Sequence, residues 1–146
     1  MQSDNDIILS RARILTKGGG KNNLCSIATL ALYDLEFPMN GQNFEYTKLS
    51  ILCYYRRRPG VTAGQVYEEV AGSIDSGVLP KTIEQVVGHS IKKAWSDRAY
   101  AKWNLYFPAH VMRCKKAPSN TTFFNGIANF LDMVVECSEE VEYAAE

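Results

Sequence analysis

The stretch KTIEQVVGHSIKKAW, residues 81–95, carries the clearest structural signal in this chain of 146 residues. Its apolar positions recur at intervals of three and four, which places them on one face of an α-helix. They are Ile83, Val86, Val87, Ile91, Ala94 and Trp95. The preceding Pro80 suits the first position of a helix, where an N–H would have no partner. We therefore predict a helix from about Lys81 to Trp95 whose apolar face packs into a core.

Apolar residues at helical spacing predict further helices on both sides of this stretch. They cover residues 24–33, 44–55, 62–70, 100–107 and 119–134, of which 100–107 is a short helix or a turn. Thr62 and Gln65 have the spacing of a capping box, and Ser119 or Asn120 suits the cap of the last helix. We predict an all-α fold of about six helices, containing a helix-turn-helix formed by the segment from Thr62, a glycine-containing turn and the helix from Lys81.

The composition, with 46% apolar and 22% charged side chains, is that of one globular domain. No apolar run is long enough to span a membrane, and Asp4 and Asp6 stand where a secretory signal would be positively charged. We expect a cytoplasmic protein that does not enter a membrane. Four widely spaced cysteines, Cys25, Cys53, Cys114 and Cys137, are expected to be reduced thiols, two of them in the core, without a disulfide framework or metal site.

Charge is distributed unevenly along the chain although the net charge is zero. Residues 1–116 hold all 16 basic residues and 10 acidic ones, whereas residues 117–146 hold 6 acidic residues and no basic one. A basic body with an acidic tail suits a polyanionic partner, and it also suits an ordinary solvated surface. We predict a flexible arm over 1–22, one domain over 23–135 and an acidic, frayed tail over 136–146.

The face of the 81–95 helix opposite its apolar side is polar and almost free of negative charge. It carries Thr82, Gln85, His89, Lys92 and Ser96. Long hydrogen-bonding side chains of this kind suit the DNA major groove, where base edges offer donors and acceptors. The alternative is an ordinary amphipathic helix with a solvated face.

Two segments resemble a known family. Residues 83–96 and 115–123 are similar to the C-terminal effector domain of the stage-zero sporulation response regulator. The matching motifs are Ile83-Glu84, His89-Ser90-Ile91, Ala94-Trp95-Ser96 and Pro118 to Phe123, and a weaker likeness extends the match over roughly residues 23–133. The resemblance implies a bacterial six-helix domain that binds a short promoter box as tandem or paired copies and switches transcription at entry into sporulation.

The chain departs from this family in two respects. The full regulator carries an N-terminal receiver domain, and only about 22 residues precede the first predicted helix here, so the chain is an excised domain or a stand-alone relative. The family has arginines at the positions of Gln85 and Gly88. Because arginine pairs with guanine and glutamine with adenine, we expect this chain to bind the family's box less strongly than the family does. Glu84 matches the family and can accept a hydrogen bond from a cytosine amino group.

The candidate DNA-binding residues are Lys81, Thr82, Glu84, Gln85, His89, Lys92, Lys115 and Lys116. Lys81 and Thr82 lie at a helix N-terminus that favours phosphate, and Lys115 and Lys116 are expected to hold the DNA backbone. The predicted function is sequence-specific transcriptional regulation. The expected partners are double-stranded DNA, a second copy of the chain on DNA, and RNA polymerase or a homologous regulator.

The alternative function is a protein-interaction module that has lost specific DNA binding and pairs with a full-length regulator. We expect no enzyme, no cofactor and no catalytic residue, because neither histidine lies in a recognised catalytic motif and no serine lies in a nucleophile elbow.

Overall fold

A computed structural model describes residues 3–16, 24–38, 41–74, 77–96 and 100–145, with side chains described as far as Ser138. These residues form helices and connecting turns, and no strand occurs among them, which confirms the all-α fold. The helices in these ranges are α1 (Asp4–Thr16), α2 (Leu24–Asp34), α3 (Gln42–Arg57), α4 (Ala63–Gly72), α5 (Pro80–Ser96), α6 (Tyr100–Asn104), α7 (Pro108–Arg113) and α8 (Asn120–Ala145). There are eight of them in the described ranges, against about six predicted.

The predicted central helix is α5, and it packs against α3, α4 and α8. Its apolar stripe is buried as expected, with Ile83, Val87 and Ile91 fully enclosed. Ser90 lies in the same buried stripe and donates its hydroxyl to the carbonyl of Val86 at 2.8 Å, so the polar group is satisfied within the helix. The period of three and four residues therefore identified the side of α5 that faces the core.

Aromatic side chains fill the space between α5, the short helices and α8. The rings of Trp95 and Trp103 meet edge to face at 5.2 Å, and Phe107 stacks on Phe123 at 5.5 Å. The region 100–107 begins with α6 as a short helix, as predicted. α7 was not predicted, although Pro108 at its start has the role that Pro80 has in α5. Large rings are efficient at closing a core formed by short helices.

The N-terminal segment differs from the prediction of a flexible arm over 1–22. Residues 4–16 form α1, which packs against α8 and buries Ile8, Ala12 and Thr16. These three residues recur every fourth position, which gives α1 a stripe that can pack on another helix. The glycine run at 18–20 lies outside the described residues. The polar start and the glycines had suggested an arm, but α1 belongs to the domain.

A buried polar network fixes α1 to the rest of the domain. The Asp34 carboxylate, with a side chain only 8% exposed, forms an ion pair with Arg11 of α1. It also accepts a hydrogen bond from the Tyr106 hydroxyl at 2.5 Å, and Lys102 lies 3.7 Å away. Burial and the hydrogen bond to Asp34 raise the pKa of Tyr106, so its hydroxyl stays a donor. The network joins α1, α2 and the segment after α6.

The last helix begins where the sequence predicted. Ser119 caps it by accepting a hydrogen bond from the Thr122 amide at 3.2 Å. The backbone stays helical to Ala145, so the predicted boundary at 136 does not appear in it, and Cys137 beyond that boundary is buried. Glutamate and alanine are good helix formers, and no glycine or proline interrupts 127–146.

No disulfide joins the cysteines of the described residues; Cys53 and Cys137 lie in the core, although the sequence had placed Cys137 in the frayed tail. Burial raises the pKa of Cys53 to about 11, and its thiol donates to Glu69. No helix within the described ranges is both long enough and apolar enough to cross a membrane.

Candidate nucleic-acid interface

The polar face predicted on α5 is exposed in the structure. All eight candidate side chains are exposed, those on α5 as well as Lys115 and Lys116. Four of them, namely Glu84, Gln85, His89 and Lys92, line one open groove with a volume of about 740 Å³. The two sides of α5 thus differ as the sequence indicated.

Three parts of the chain form this groove, which we call the α5 groove. They are the outward face of α5, the first turn of α4, and the segment 117–121 that leads into α8. Lys81 and Thr82 are not among its lining residues and lie on the exposed first turn of α5. Lys115 and Lys116 directly precede the lining residue Ala117. The structure therefore brings four of the predicted residues together in the groove. The other four are not among its lining residues.

Two helix N-termini border the α5 groove. At α4, Thr62 forms the predicted capping box, accepting from the Gln65 amide at 3.2 Å while Gln65 accepts from the Thr62 amide at 2.9 Å. At α8, Ser119 caps the helix in the same way. Each cap satisfies the third amide of its helix and leaves the first two amides without an intrahelical partner. Both helix dipoles also direct their positive ends here, which favours an anion.

The side chain of Asn120 joins three helices at the groove. Its Nδ2 atom donates to the Tyr67 hydroxyl of α4 at 2.8 Å and to the Glu84 carbonyl of α5 at 3.2 Å. Gly88 of α5 lies opposite, and a Cβ atom there would be 3.2 Å from Asn120 Oδ1. A Cβ atom at position 88 would require Asn120 to give way by a few tenths of an ångström. Glycine at this position therefore allows the close approach of α5 and the start of α8.

The segment carrying the two lysines is held by its backbone. The Trp95 indole donates to the Lys115 carbonyl at 3.2 Å, and His110 Nε2 lies 2.8 Å from the Lys116 carbonyl oxygen. Because a carbonyl only accepts, Nε2 carries the hydrogen. The His110 ring also stands perpendicular to Trp95 at 5.3 Å. The lysine side chains are thus exposed on an anchored backbone.

His110 was not predicted to have a role at this site. It lies twenty-one residues after His89, and its partners come from α5 and from the segment before α8. No local pattern marks a histidine that positions a neighbouring loop. A histidine beside an aromatic core residue can be recognised only once the helices are packed.

The basic residues of the chain differ in how they are paired. Lys81, Lys92, Lys115 and Lys116 form no ion pair within the part of the chain that the structure describes. The arginine cluster at the C-terminal end of α3 is paired: Arg58 binds both carboxylate oxygens of Asp132 at 2.8 and 3.1 Å. These hydrogen bonds lower the pKa of Asp132. The lysines near the α5 groove therefore keep their charge available to an outside anion.

The neighbouring Arg56 and Arg57 lie 3.8 and 3.9 Å from Glu69. Together with Arg58 they face carboxylates of this chain. Lys115 and Lys116, which the sequence predicts as contacts with the DNA backbone, form no ion pair of this kind in the described residues.

The lining of the α5 groove combines polar and charged side chains, with Lys92 as its lysine. Glu84 is the one acidic residue among its described lining residues. No group of three histidine, cysteine, aspartate or glutamate side chains in the described ranges is arranged to hold a metal ion. Amide donors, lysines and one carboxylate can bind phosphates and also discriminate between base edges.

No protein-family model, curated protein or solved structure matches this chain. The resemblance to the sporulation regulator therefore stays a prediction from short motifs.

Proposed function

We propose that this protein is a sequence-specific DNA-binding regulator of transcription, in which α5 enters the major groove. The observation that carries the proposal is the α5 groove: an exposed polar helix face lies between two helix N-termini and beside unpaired lysines. In this assignment α4 and α5 act as a helix-turn-helix, and the regulator is of the bacterial sporulation type suggested by the motifs at 83–96 and 115–123.

The dimensions of α5 suit this role. Its 17 residues extend about 25 Å, and a B-DNA major groove about 12 Å wide admits an α-helix. Phosphates on one side meet the free amides of α4 and α8 together with Lys115 and Lys116. Gln85 and Glu84 reach base edges, where glutamine pairs with adenine and glutamate accepts from cytosine. Phosphate contacts supply affinity, and base contacts supply specificity.

A salt titration with matched variants tests the proposal. The logarithm of the affinity for duplex DNA is expected to fall linearly with the logarithm of the salt concentration, because each phosphate contact releases counterions. The double variant Lys115→Gln/Lys116→Gln is expected to reduce that slope by about two. The control variant Arg56→Gln/Arg57→Gln removes the same charge elsewhere and is expected to retain most of the wild-type slope. Fluorescence anisotropy at several salt concentrations measures both slopes.

Two results would count against the proposal. The first is the absence of binding by the unmodified protein at low salt, where phosphate contacts are strongest. The second is an equal loss of slope in both double variants. That outcome would show that the lysines act only through net charge.

The alternative is a protein-interaction module that pairs with a full-length regulator. It is favoured by the loss of both family arginines and by two exposed apolar side chains on α2, Leu30 and Tyr33. Such a module would bind selected and random duplexes with equal affinity. The regulator we propose would favour its selected duplex, typically by a factor of at least about 1,000.

A further inference from the structure

Asn120 is the residue through which α4, α5 and α8 meet at the α5 groove. Its two amide hydrogens have two acceptors available, the Tyr67 hydroxyl at 2.8 Å and the Glu84 carbonyl at 3.2 Å. Tyr67 is only 4% exposed, and its hydrogen bond with Asn120 is partly buried at the wall of the groove. Asn120 is not the cap of α8, because Ser119 has that role. The side chain is thus used to connect helices.

The position of these contacts along α5 is informative. Glu84 precedes Gln85, and Gly88 lies one helical turn beyond Glu84, so Asn120 touches α5 directly beside its candidate base-reading residues. The missing Cβ at Gly88 lets the start of α8 approach α5 closely, since a Cβ there would lie 3.2 Å from Oδ1. Through these contacts Asn120 connects α5 with the N-terminus of α8 and, by way of Tyr67, with α4.

We propose that Asn120 is a specificity-determining positioning residue, which holds α5 so that Glu84 and Gln85 meet their bases while other groups hold the phosphates. The inference rests on the proposed function. Recognition of a base edge requires side chains placed within about half an ångström, whereas phosphate contacts carry no sequence information. Loss of the Asn120 contacts therefore weakens sequence preference far more than it weakens general affinity for DNA.

The test uses two single variants, Asn120→Ala and Gly88→Ala. The second variant keeps the Asn120 side-chain amide but adds a Cβ atom that presses against it. Each protein selects duplexes from a random pool, and its affinities for the wild-type selected duplex and for a random duplex are then compared. Both variants are expected to lower the ratio of these affinities about tenfold, as for the loss of one good base contact. Affinity for the random duplex is expected to stay within about twofold of wild type, since the phosphate contacts remain.

Two controls separate positioning from a general loss of structure. Asn129→Ala makes the same substitution farther along α8, at a side chain outside the α5 groove for which no hydrogen bond is found, and is expected to leave the ratio unchanged. The double variant Asn120→Ala/Gly88→Ala is expected to resemble either single variant, because both changes disrupt one contact. In the free protein, the amide NMR shifts of Gln85 and His89 are expected to move in both single variants.

An unchanged affinity ratio in Asn120→Ala and Gly88→Ala, with unchanged Gln85 and His89 shifts, would overturn this inference while leaving the proposed function intact. A wild-type protein that selects no sequence would overturn both together. If Asn120→Ala does not fold, Gly88→Ala decides the question, because it retains the asparagine and its hydrogen-bonding groups.

Discussion

Replacing Asp34 with alanine is expected to lower the free energy of unfolding by about 3 kcal/mol, the cost typical of breaking a buried ion pair. The substitution leaves Arg11, whose side chain is 19% exposed, without its carboxylate. It also leaves the buried Tyr106 hydroxyl without an acceptor. An unpaired charge and an unsatisfied buried hydroxyl both carry a desolvation penalty. Urea unfolding followed by circular dichroism measures the change.

A double-mutant cycle shows whether the network is the cause. In an Arg11→Met background the same Asp34→Ala substitution is expected to cost clearly less, because no buried charge is left unpaired. Strictly additive costs would contradict the ion pair between α1 and α2. A loss below about 0.5 kcal/mol for Asp34→Ala alone, the range of ordinary surface substitutions, would contradict the burial of this network.

Replacing Gly126 with alanine is expected to destabilise the protein by about 2–3 kcal/mol, as overpacking of a core does. An alanine Cβ would lie 3.0 Å or less from three ring carbons of Phe107. That ring cannot move aside easily, because it stacks on Phe123 and packs against Trp103. In an ordinary helix the same change stabilises by up to about 1 kcal/mol, so the expected sign is reversed.

Gly72→Ala is the matched control for this substitution. Gly72 is also a helical glycine, and a Cβ atom there would meet no other group within 4 Å. We expect it to leave the thermal midpoint unchanged or slightly raised. Gly126→Ala is expected to lower the midpoint by roughly 4–12 °C for a chain of this size. Equal midpoints for the two variants would mean that Phe107 does not pack over α8 as described.

Features with a local cause could be predicted from the sequence. The apolar period of α5, the capping box at Thr62 and the cap at Ser119 depend on residues within one or two helical turns of each other. The exposed face of α5 follows from the same period, which is why the six candidate residues on α5 are all exposed. The all-α fold follows from the same local signals.

Features that depend on distant partners could not be predicted. α1 has only a short buried stripe, and its attachment depends on α8 and on Asp34. The contact between Gly88 and Asn120 joins residues thirty-two positions apart. His110 contacts the Lys116 carbonyl, whose position depends on the course of the chain before α8. Helical spacing specifies which face of a helix is apolar. It does not specify which helix will cover that face.

This distinction matters most for the α5 groove. The sequence indicated a polar helix face and a nearby pair of lysines as separate features. Packing places that face between the N-termini of α4 and α8, and it anchors the lysine segment through Trp95 and His110. In the proposed function, the groove therefore combines groups that hold phosphates with side chains that read bases, which neither feature would provide alone.

The most direct test is an NMR titration of isotope-labelled protein with a duplex selected from a random pool. We expect saturable amide shifts at Gln85, His89 and Lys92 and over residues 115–121, with few shifts in α1 and α2. Shifts confined to α1 and α2, or no saturable shifts at any salt concentration that permits binding, would contradict the assignment of the α5 groove as the DNA interface.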